Sequence, residues 1–513
     1  MKVNKIVIVG GGSSGWMTAA ALCKNFPDLD VTLIESKNIK TIGVGESTLA
    51  EFNSYLELLG LKDEEWMHEC DATYKVSIAF TDFREKGSKF QYPFGLSAAP
   101  HVSLGHDCWP ALRQMDPESC PLEKFAEFYN ANTYLADLNK LTHNQDQSIP
   151  NFKFKYDTAY HFDATKFGLY LKDKICKPAG IKHILEEVSD VEQEENGNIK
   201  YVITESGSKF DADIFIDCSG FKSILLEQKM GGVFESFNKT LLNDRALATK
   251  LSYNDPNIEM ENVTNCTAIE HGWVWNIPLW NRIGSGYVYS SKFIDRDQAE
   301  LEFRNHLSSN GKQIPEDAEI LDIHIKHGVM DRAWIGNVLG VGLSYGFVEP
   351  LESTGLLTTH ENIYRFVRIL QKRNRVVTSV DRTLLNNYLS DILHAAKSFL
   401  EMHYGLSLRD DTEYWRYVTD IDYGNTADME QLRDNVTRVS NFNGIRGGLI
   451  YIAAGMGYLP SYRFGSGYGY ISNDDQEALR NVFREYEMFS HSLREYVKTL
   501  PTHYEFLKEN IYV

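Results

Sequence analysis

A chain of 513 residues, 43% hydrophobic and 12% aromatic, exceeds the roughly 250–300 residues at which a single core usually stops growing, so two or three packed subregions are expected. With 52 basic against 71 acidic side chains the formal charge is −19, which argues against nucleic acid and anionic membranes as partners because both are polyanions. The 7 cysteines form no Cys-x-x-Cys pair, no leader-like segment opens the chain, and no apolar run approaches the ~18–20 residues of a spanning helix. A zinc site and a disulfide framework are therefore not expected, and a reduced, cytoplasmic setting is.

Ile6-Val7-Ile8-Val9 is a β-branched run that leads directly into Gly10-x-Gly12-x-x-Gly15, with Ser13 and Ser14 inside the turn. Trp16 to Asn25 is rich in helix formers, and Val31 to Ile34 predicts a second strand ending in Glu35. Strand, tight turn, helix and strand-terminal acid together form a dinucleotide fingerprint. The glycines let backbone approach a pyrophosphate, the helix N-terminus offers free N–H groups, and the acid can accept from a ribose hydroxyl. At this point FAD and NAD are equally open.

Gly43-Val44-Gly45-Glu46-Ser47-Thr48 follows, before a helical pattern from Leu49 to Leu59. It reads either as a helix cap, with Ser47 and Thr48 as capping residues, or as a second loop against the cofactor. Tyr74 to Phe80 alternates with period two, placing Val76, Ile78 and Phe80 on one face and Lys75, Ser77 and Ala79 on the other. A strand lysine is ordinarily solvated; on a face that lines a cavity it becomes a candidate catalytic cation.

Tyr160 to Ala164 leads into an amphipathic helix over Thr165 to Lys174, and Asp213 to Asp217 is an apolar strand running into Cys218-Ser219-Gly220. Trp273-Val274-Trp275-Asn276-Ile277-Pro278 has the composition of a buried strand ending at a turn. The C-terminal part is rich in helix formers, as in Leu384 to Leu400 and Asp475 to Leu500. Between them, Gly444 to Tyr470 is dense in glycine and tyrosine, fit to wall a pocket or to pack as a surface loop.

Taken together these motifs resemble the flavin-dependent halogenases of the tryptophan halogenase family over nearly the whole chain. Gly10-x-Gly12-x-x-Gly15 is similar to the family's FAD motif, Gly43 to Ser47 to its second flavin loop, and Trp273-x-Trp275-x-Ile277-Pro278 to its signature. Gly346-Phe347-Val348-Glu349-Pro350-Leu351-Glu352-Ser353-Thr354-Gly355 is similar to its halide and active-site segment, and His403-Tyr404, Arg409 to Thr412 and Trp415 also fit.

The resemblance implies an α/β fold: an FAD-binding Rossmann-like domain of the aromatic hydroxylase type, with an inserted mixed β-sheet substrate region and a helical C-terminal region. On that reading residues 1–390 form the FAD module, interrupted at about 65–155 and 250–320, and residues 391–513 form a helical substrate cover. It implies FAD supplied as FADH2 by a separate flavin reductase, O2, and chloride, bromide or iodide. A flavin hydroperoxide would then oxidise halide to hypohalous acid. Lys75 would hold the oxidant and Glu352 would steer it or take the arene's proton, while Thr354 and Gly355 would bind halide. Gly10, Gly12, Ser13, Ser14, Gly15, Glu35, Gly45, Glu46 and Ser47 would contact FAD. Trp273, Trp275, Ile277 and Pro278 would keep substrate from the flavin, since direct contact there would hydroxylate it. No metal is implied, and a homo-oligomer is compatible with the resemblance. The segment Met456 to Tyr470 does not match the indole pocket of tryptophan-specific members, so the implied substrate is an indole, phenol or other small electron-rich arene. An FAD-dependent aromatic hydroxylase and a non-enzymatic FAD redox protein are the alternatives.

Overall fold

The computed structural model describes residues 1–38, 45–95, 108–316, 318–424, 446–459 and 471–513, with residues 446 and 447 described by their backbone alone. Gly43 and Val44 of the second glycine loop, and residues 444–445 and 460–470 of the glycine- and tyrosine-rich stretch, lie outside these. The chain divides into two compact units, each assembled from three stretches: 1–72, 162–239 and 325–394 in the first, and 73–161, 240–324 and 395–513 in the second.

The first unit is built on a six-stranded sheet of β1 (Lys5–Val9), β2 (Asp30–Glu35), β3 (Lys182–Leu185), β4 (Ile214–Asp217), β5 (Trp334–Ile335) and β6 (Val338–Gly340). Its order is β5-β6-β4-β1-β2-β3, parallel except for the antiparallel edge pair β5 and β6. Ile6 sits between Ile214 and Val31 in register, and the central strands are apolar along almost their whole length. That composition is what a parallel sheet requires, because both faces are covered. Helices α1 (Ser13–Asn25), α2 (Phe52–Leu59) and α3 (Thr354–Lys372) pack against one another in this unit. The expected capping of α2 by Ser47 or Thr48 is not seen: the helix starts at Phe52 after Glu51, and Ser47 belongs to a two-residue strand, Glu46–Ser47.

The second unit holds a seven-stranded sheet in the order Leu321–His324, Arg245–Leu251, Arg282–Tyr289, Gly272–Leu279, Val263–Ile269, Ser77–Thr81 and Lys89–Pro93. Every pair is antiparallel except Val263–Ile269 with Ser77–Thr81. The alternating run expected from Tyr74 to Phe80 is broken at Val76. Thr73–Lys75 pairs with Ala159–Phe162, while Ser77–Thr81 joins the large sheet. At Val76 the backbone already turns to the large sheet: its N–H donates to Asn262, next to Val263, and its carbonyl accepts from Phe94, next to Pro93. Helices Arg446–Gly455, Asn473–Lys498 and His503–Asn510 complete the C-terminal part. Asn473–Lys498 is held at Glu127, whose carboxylate accepts from Tyr486, Ser490 and Arg494 at 3.0, 2.8 and 2.7 Å.

No helix among the described residues is long and apolar enough to cross a membrane.

Candidate active site

The turn after β1 carries the first set of expected cofactor residues, and the three motif glycines, Gly10, Gly12 and Gly15, do not all do the same thing. Gly10 has φ +114°, and a Cβ on it would lie 2.2 Å from the Cys218 carbonyl oxygen. A Cβ on Gly15 would lie 2.0 Å from the Gly10 carbonyl oxygen. Those two glycines permit close backbone packing. At Gly12 a Cβ would meet nothing within 4 Å. Gly12 is also the N-cap of α1, no side chain caps that end, and no acid stands in the first turn. Open space, uncompensated N–H groups and the positive end of a helix coincide there, the donor set that a pyrophosphate needs. The residues present therefore fit a dinucleotide such as FAD.

Glu35 ends β2 as expected. Its Oε1 accepts from His183 Nε2 at 2.7 Å and lies 3.5 Å from Lys172 Nζ. Ser13 Oγ donates to the Ala164 carbonyl at 3.3 Å, and the Ser14 carbonyl accepts from Thr18 Oγ1 at 2.7 Å. Asp217, at the end of β4, accepts the backbone N–H groups of Ser219, Leu225 and Leu226 at 3.0, 2.7 and 2.8 Å. Its role is to hold the Asp217 to Gly220 turn, since a buried carboxylate must be saturated with donors.

Two sequence-distant segments of this unit meet at Ser47 and Ser353, whose hydroxyls hydrogen-bond at 3.0 Å. Glu46 precedes the first and Glu352 the second. Burial, aided by the negative charge of Asp163, pushes the Glu46 carboxyl up to about 7. Glu352 closes the short 3-10 turn Pro350–Glu352 and is 0% exposed. Ser353 follows in the left-handed region at φ 58° and ψ 28°, and Thr354 then starts α3. Thr354 is fully buried, its Oγ1 has no hydrogen-bond partner among the described residues, and the first turn of α3 contains no acid. A Cβ on Gly355 would press on the Phe347 ring at 3.3 Å, so glycine keeps this turn close to its neighbour.

In the second unit Lys75 ends the strand Thr73–Lys75 and is 0% exposed, which overturns the solvated reading of a strand lysine. Its Nζ lies 4.9 Å from the centroid of the Phe94 ring. Burial first, and then the nearby Lys75 charge, hold the His161 imidazole far below its ordinary range. His161 is thus neutral, and its Nε2 lies 2.8 Å from Thr264 Oγ1.

Trp273, Trp275 and Ile277 lie on one face of a central strand and are 1%, 6% and 7% exposed. The two indoles are 6.0 Å apart at 55°. Trp275 lies over Gly286 on the neighbouring strand, where a Cβ would come within 2.1 Å of the ring. Pro278 stands near the hairpin end of the strand, and its carbonyl accepts from Thr73 Oγ1 at 2.6 Å. Further on, Arg409 forms a two-pronged pair with Asp411 at 2.9 Å each and stacks on Trp415, whose Nε1 donates to the Ile269 carbonyl at 2.7 Å. These residues tie the segment after Gly405 onto the edge of the strand Val263–Ile269, a structural duty.

Sequence reasoning missed three residues at these sites. Asp163 caps the helix Ala164–Tyr170 and raises the Glu46 carboxyl. His161 meets Lys75 only through strand pairing. His360, on α3, is buried against Phe52 with neither ring nitrogen hydrogen-bonded among the described residues, and burial depresses it to about 3. No local pattern announces such neighbours.

Parallel sheet, glycine turn and uncapped helix end define a dinucleotide-binding α/β protein. The chain belongs to the tryptophan halogenase family: the family model described as "Tryptophan halogenase" matches residues 5–492. It is 34% identical over 432 residues to tryptophan 7-halogenase RebH of Lentzea aerocolonigenes, covering 81% of this chain and 78% of that protein. It is 33% identical over 437 residues to tryptophan 6-halogenase SttH of Streptomyces toxytricini, covering 80% of each. Among solved structures it resembles VirX1 in its apo form, at 46% identity with a TM-score of 0.88 over 100% of both chains. It also resembles a flavin-dependent halogenase of Xanthomonas campestris, Xcc4156, at 28% identity with a TM-score of 0.85 over 99% of this chain and 98% of the other. The expected fold class and the halogenase reading are thereby borne out, and the protein is a flavin-dependent oxidoreductase of the halogenase type.

Proposed function

We propose that this enzyme uses FADH2, O2 and a halide to halogenate a small electron-rich arene of the indole or phenol type, with Lys75 and Glu352 as its catalytic residues. The observation that carries this reading is the complete burial of both side chains. Burying a charge costs several kcal/mol or more, and that cost is typically retained where chemistry uses the group.

Bound FAD, once reduced, supplies the electrons that activate O2 for halide oxidation. Gly10, Gly12, Ser13, Ser14 and Gly15 would hold its pyrophosphate at the N-terminus of α1, Glu35 its ribose, and Gly45, Glu46 and Ser47 its ring side. Thr354 and Gly355 would receive the halide, since an unneutralised helix start and a buried hydroxyl suit a bare anion. The Lys75 ammonium would donate a hydrogen bond to hypohalous acid and make its halogen more electrophilic. Glu352 would stabilise the cationic arene and accept its proton. Trp273, Trp275, Ile277 and Pro278 would keep the arene away from the cofactor. A separate flavin reductase would deliver the reduced cofactor, and a cytoplasmic location would suit that supply.

The test is incubation with a flavin reductase, NADH, FAD, air and sodium bromide across a panel of indoles and phenols. Monobrominated product by mass spectrometry supports the reading. Oxygen insertion without bromine would establish a hydroxylase, and flavin reoxidation with neither product a redox protein.

A further inference from the structure

The two carboxylate oxygens of Glu35, in the first unit, have different surroundings. Oε1 takes both partners: it accepts from His183 Nε2 at 2.7 Å and lies 3.5 Å from the Lys172 ammonium. Oε2 accepts from nothing among the described residues and lies against Gly11, where a Cβ would overlap it. His183 stands on β3 opposite Leu33 of β2, so its side chain shares a sheet face with Glu35, two residues further on. Lys172 arrives from the π-helical turn Leu171–Cys176, which packs along α1. Trp16 of α1 is buried and braces both donors: Lys172 Nζ lies 5.3 Å from its ring centroid, and the His183 ring meets it edge-on at 5.1 Å and 74°. A carboxylate only accepts, so Nε2 carries the His183 proton.

We propose that Lys172 and His183 are positioning residues that hold Glu35 by one oxygen and leave the other for the adenosine ribose of FAD, so that they set how strongly the protein reads that sugar. This rests on Glu35 being the group that meets the ribose. A glutamate free to rotate must be ordered at the moment of binding, and that ordering weakens the complex; His183 and Lys172 order it beforehand, and Gly11 leaves the carboxylate its room. FAD also brings a pyrophosphate, and the Lys172 ammonium offsets the negative charge that Glu35 sets against it. His183 supplies a directed N–H, Lys172 a charge, and Trp16 keeps both in place.

The experiment titrates the full chain, freed of flavin, with FAD and with an FAD analogue built on 2′,3′-dideoxyadenosine, follows flavin fluorescence, and reads the ratio of the two dissociation constants. Wild type should bind the analogue about tenfold more weakly, the worth of a hydrogen bond to a charged acceptor. Lys172→Met and His183→Phe keep apolar contact with Trp16 but remove one donor each, and each should bring the ratio down toward that of Glu35→Gln, which should be near one. Lys172→Gln and His183→Leu serve at the same positions should either first variant fail to fold. A loss common to both ligands leaves the ratio unaltered and is what a merely structural role would give. A wild-type ratio that persists undiminished in either variant would overturn the proposal while leaving Glu35 at the ribose. A ratio near one in the wild type, or one that Glu35→Gln leaves unaltered, would show that Glu35 does not meet the ribose and would take the proposal down with it.

Discussion

The hydroxyl of Ser353 donates to that of Ser47 across 3.0 Å, joining positions 306 residues apart in the chain. Through it the strand Glu46–Ser47 is fastened to the turn that ends in Glu352, and Ser353 reaches it from a left-handed backbone conformation that L-residues adopt at a cost of about 1 kcal/mol or more. Removing the acceptor with Ser47→Ala should cost about 1 kcal/mol of stability. Because the turn carries Glu352, halogenation should also slow several-fold. Thermal melts and bromination rates on one preparation check both, and an unchanged rate would detach this bond from the site.

Lys75→Met keeps an apolar stem of similar length in the buried site, so folding and FAD binding should survive. Product formation should fall by about 10² to 10⁴, the range a positioned proton donor contributes. Retained turnover would remove Lys75 from the chemistry. Glu352→Gln should lower product formation by about 10² on the same grounds.

The glycine turn separates a packing role from a ligand role. Gly12→Ala places its methyl in open space, so the FAD-free protein should melt within about 0.5 kcal/mol of wild type while FAD binds markedly more weakly. Gly15→Ala drives a methyl toward the Gly10 carbonyl and should destabilise the free protein by about 1–3 kcal/mol. Equal melts for the two variants would contradict the assignment.

Glu46 makes stability depend on pH in a definite direction. Its carboxyl is raised to about 7 from an ordinary value of 4.5, first by burial and then by Asp163, so between those pH values the folded state binds more protons than the unfolded chain. Its contribution to stability is therefore greatest below about 4.5 and is lost as pH rises through 7. Glu46→Gln should flatten the fall in melting temperature between pH 5 and 8; parallel curves for variant and wild type would refute the raised carboxyl.

Gly286→Ala should cost about 1–3 kcal/mol, since the new methyl would meet the Trp275 ring at 2.1 Å. Trp275→Phe in the same chain should recover part of that loss. Absence of recovery in melts of the double variant would show that the ring is not what the methyl meets.

The sequence by itself determined the local elements and the motif set. The apolar run Ile6 to Val9, the glycine turn, the helix and Glu35 appear as read, because period, propensity and turn chemistry act over a few residues. The helix expected over Leu384 to Leu400 forms within Ser379–Gly405, and the one expected over Asp475 to Leu500 forms as Asn473–Lys498, ending just short of Leu500. Tertiary structure alone decided where strands break and which side chains meet. An unbroken alternation divides at Val76, whose backbone bonds already go to Asn262 and Phe94 beside the strands of the large sheet. Ser47 caps no helix because it lies in the strand Glu46–Ser47, ahead of Glu51 and the start of α2, and Lys75 is buried rather than solvated, its Nζ 4.9 Å from the centroid of the Phe94 ring. Periodicity reports which face of an element is apolar; which distant element covers that face is settled by packing and by the requirement that buried polar groups find partners.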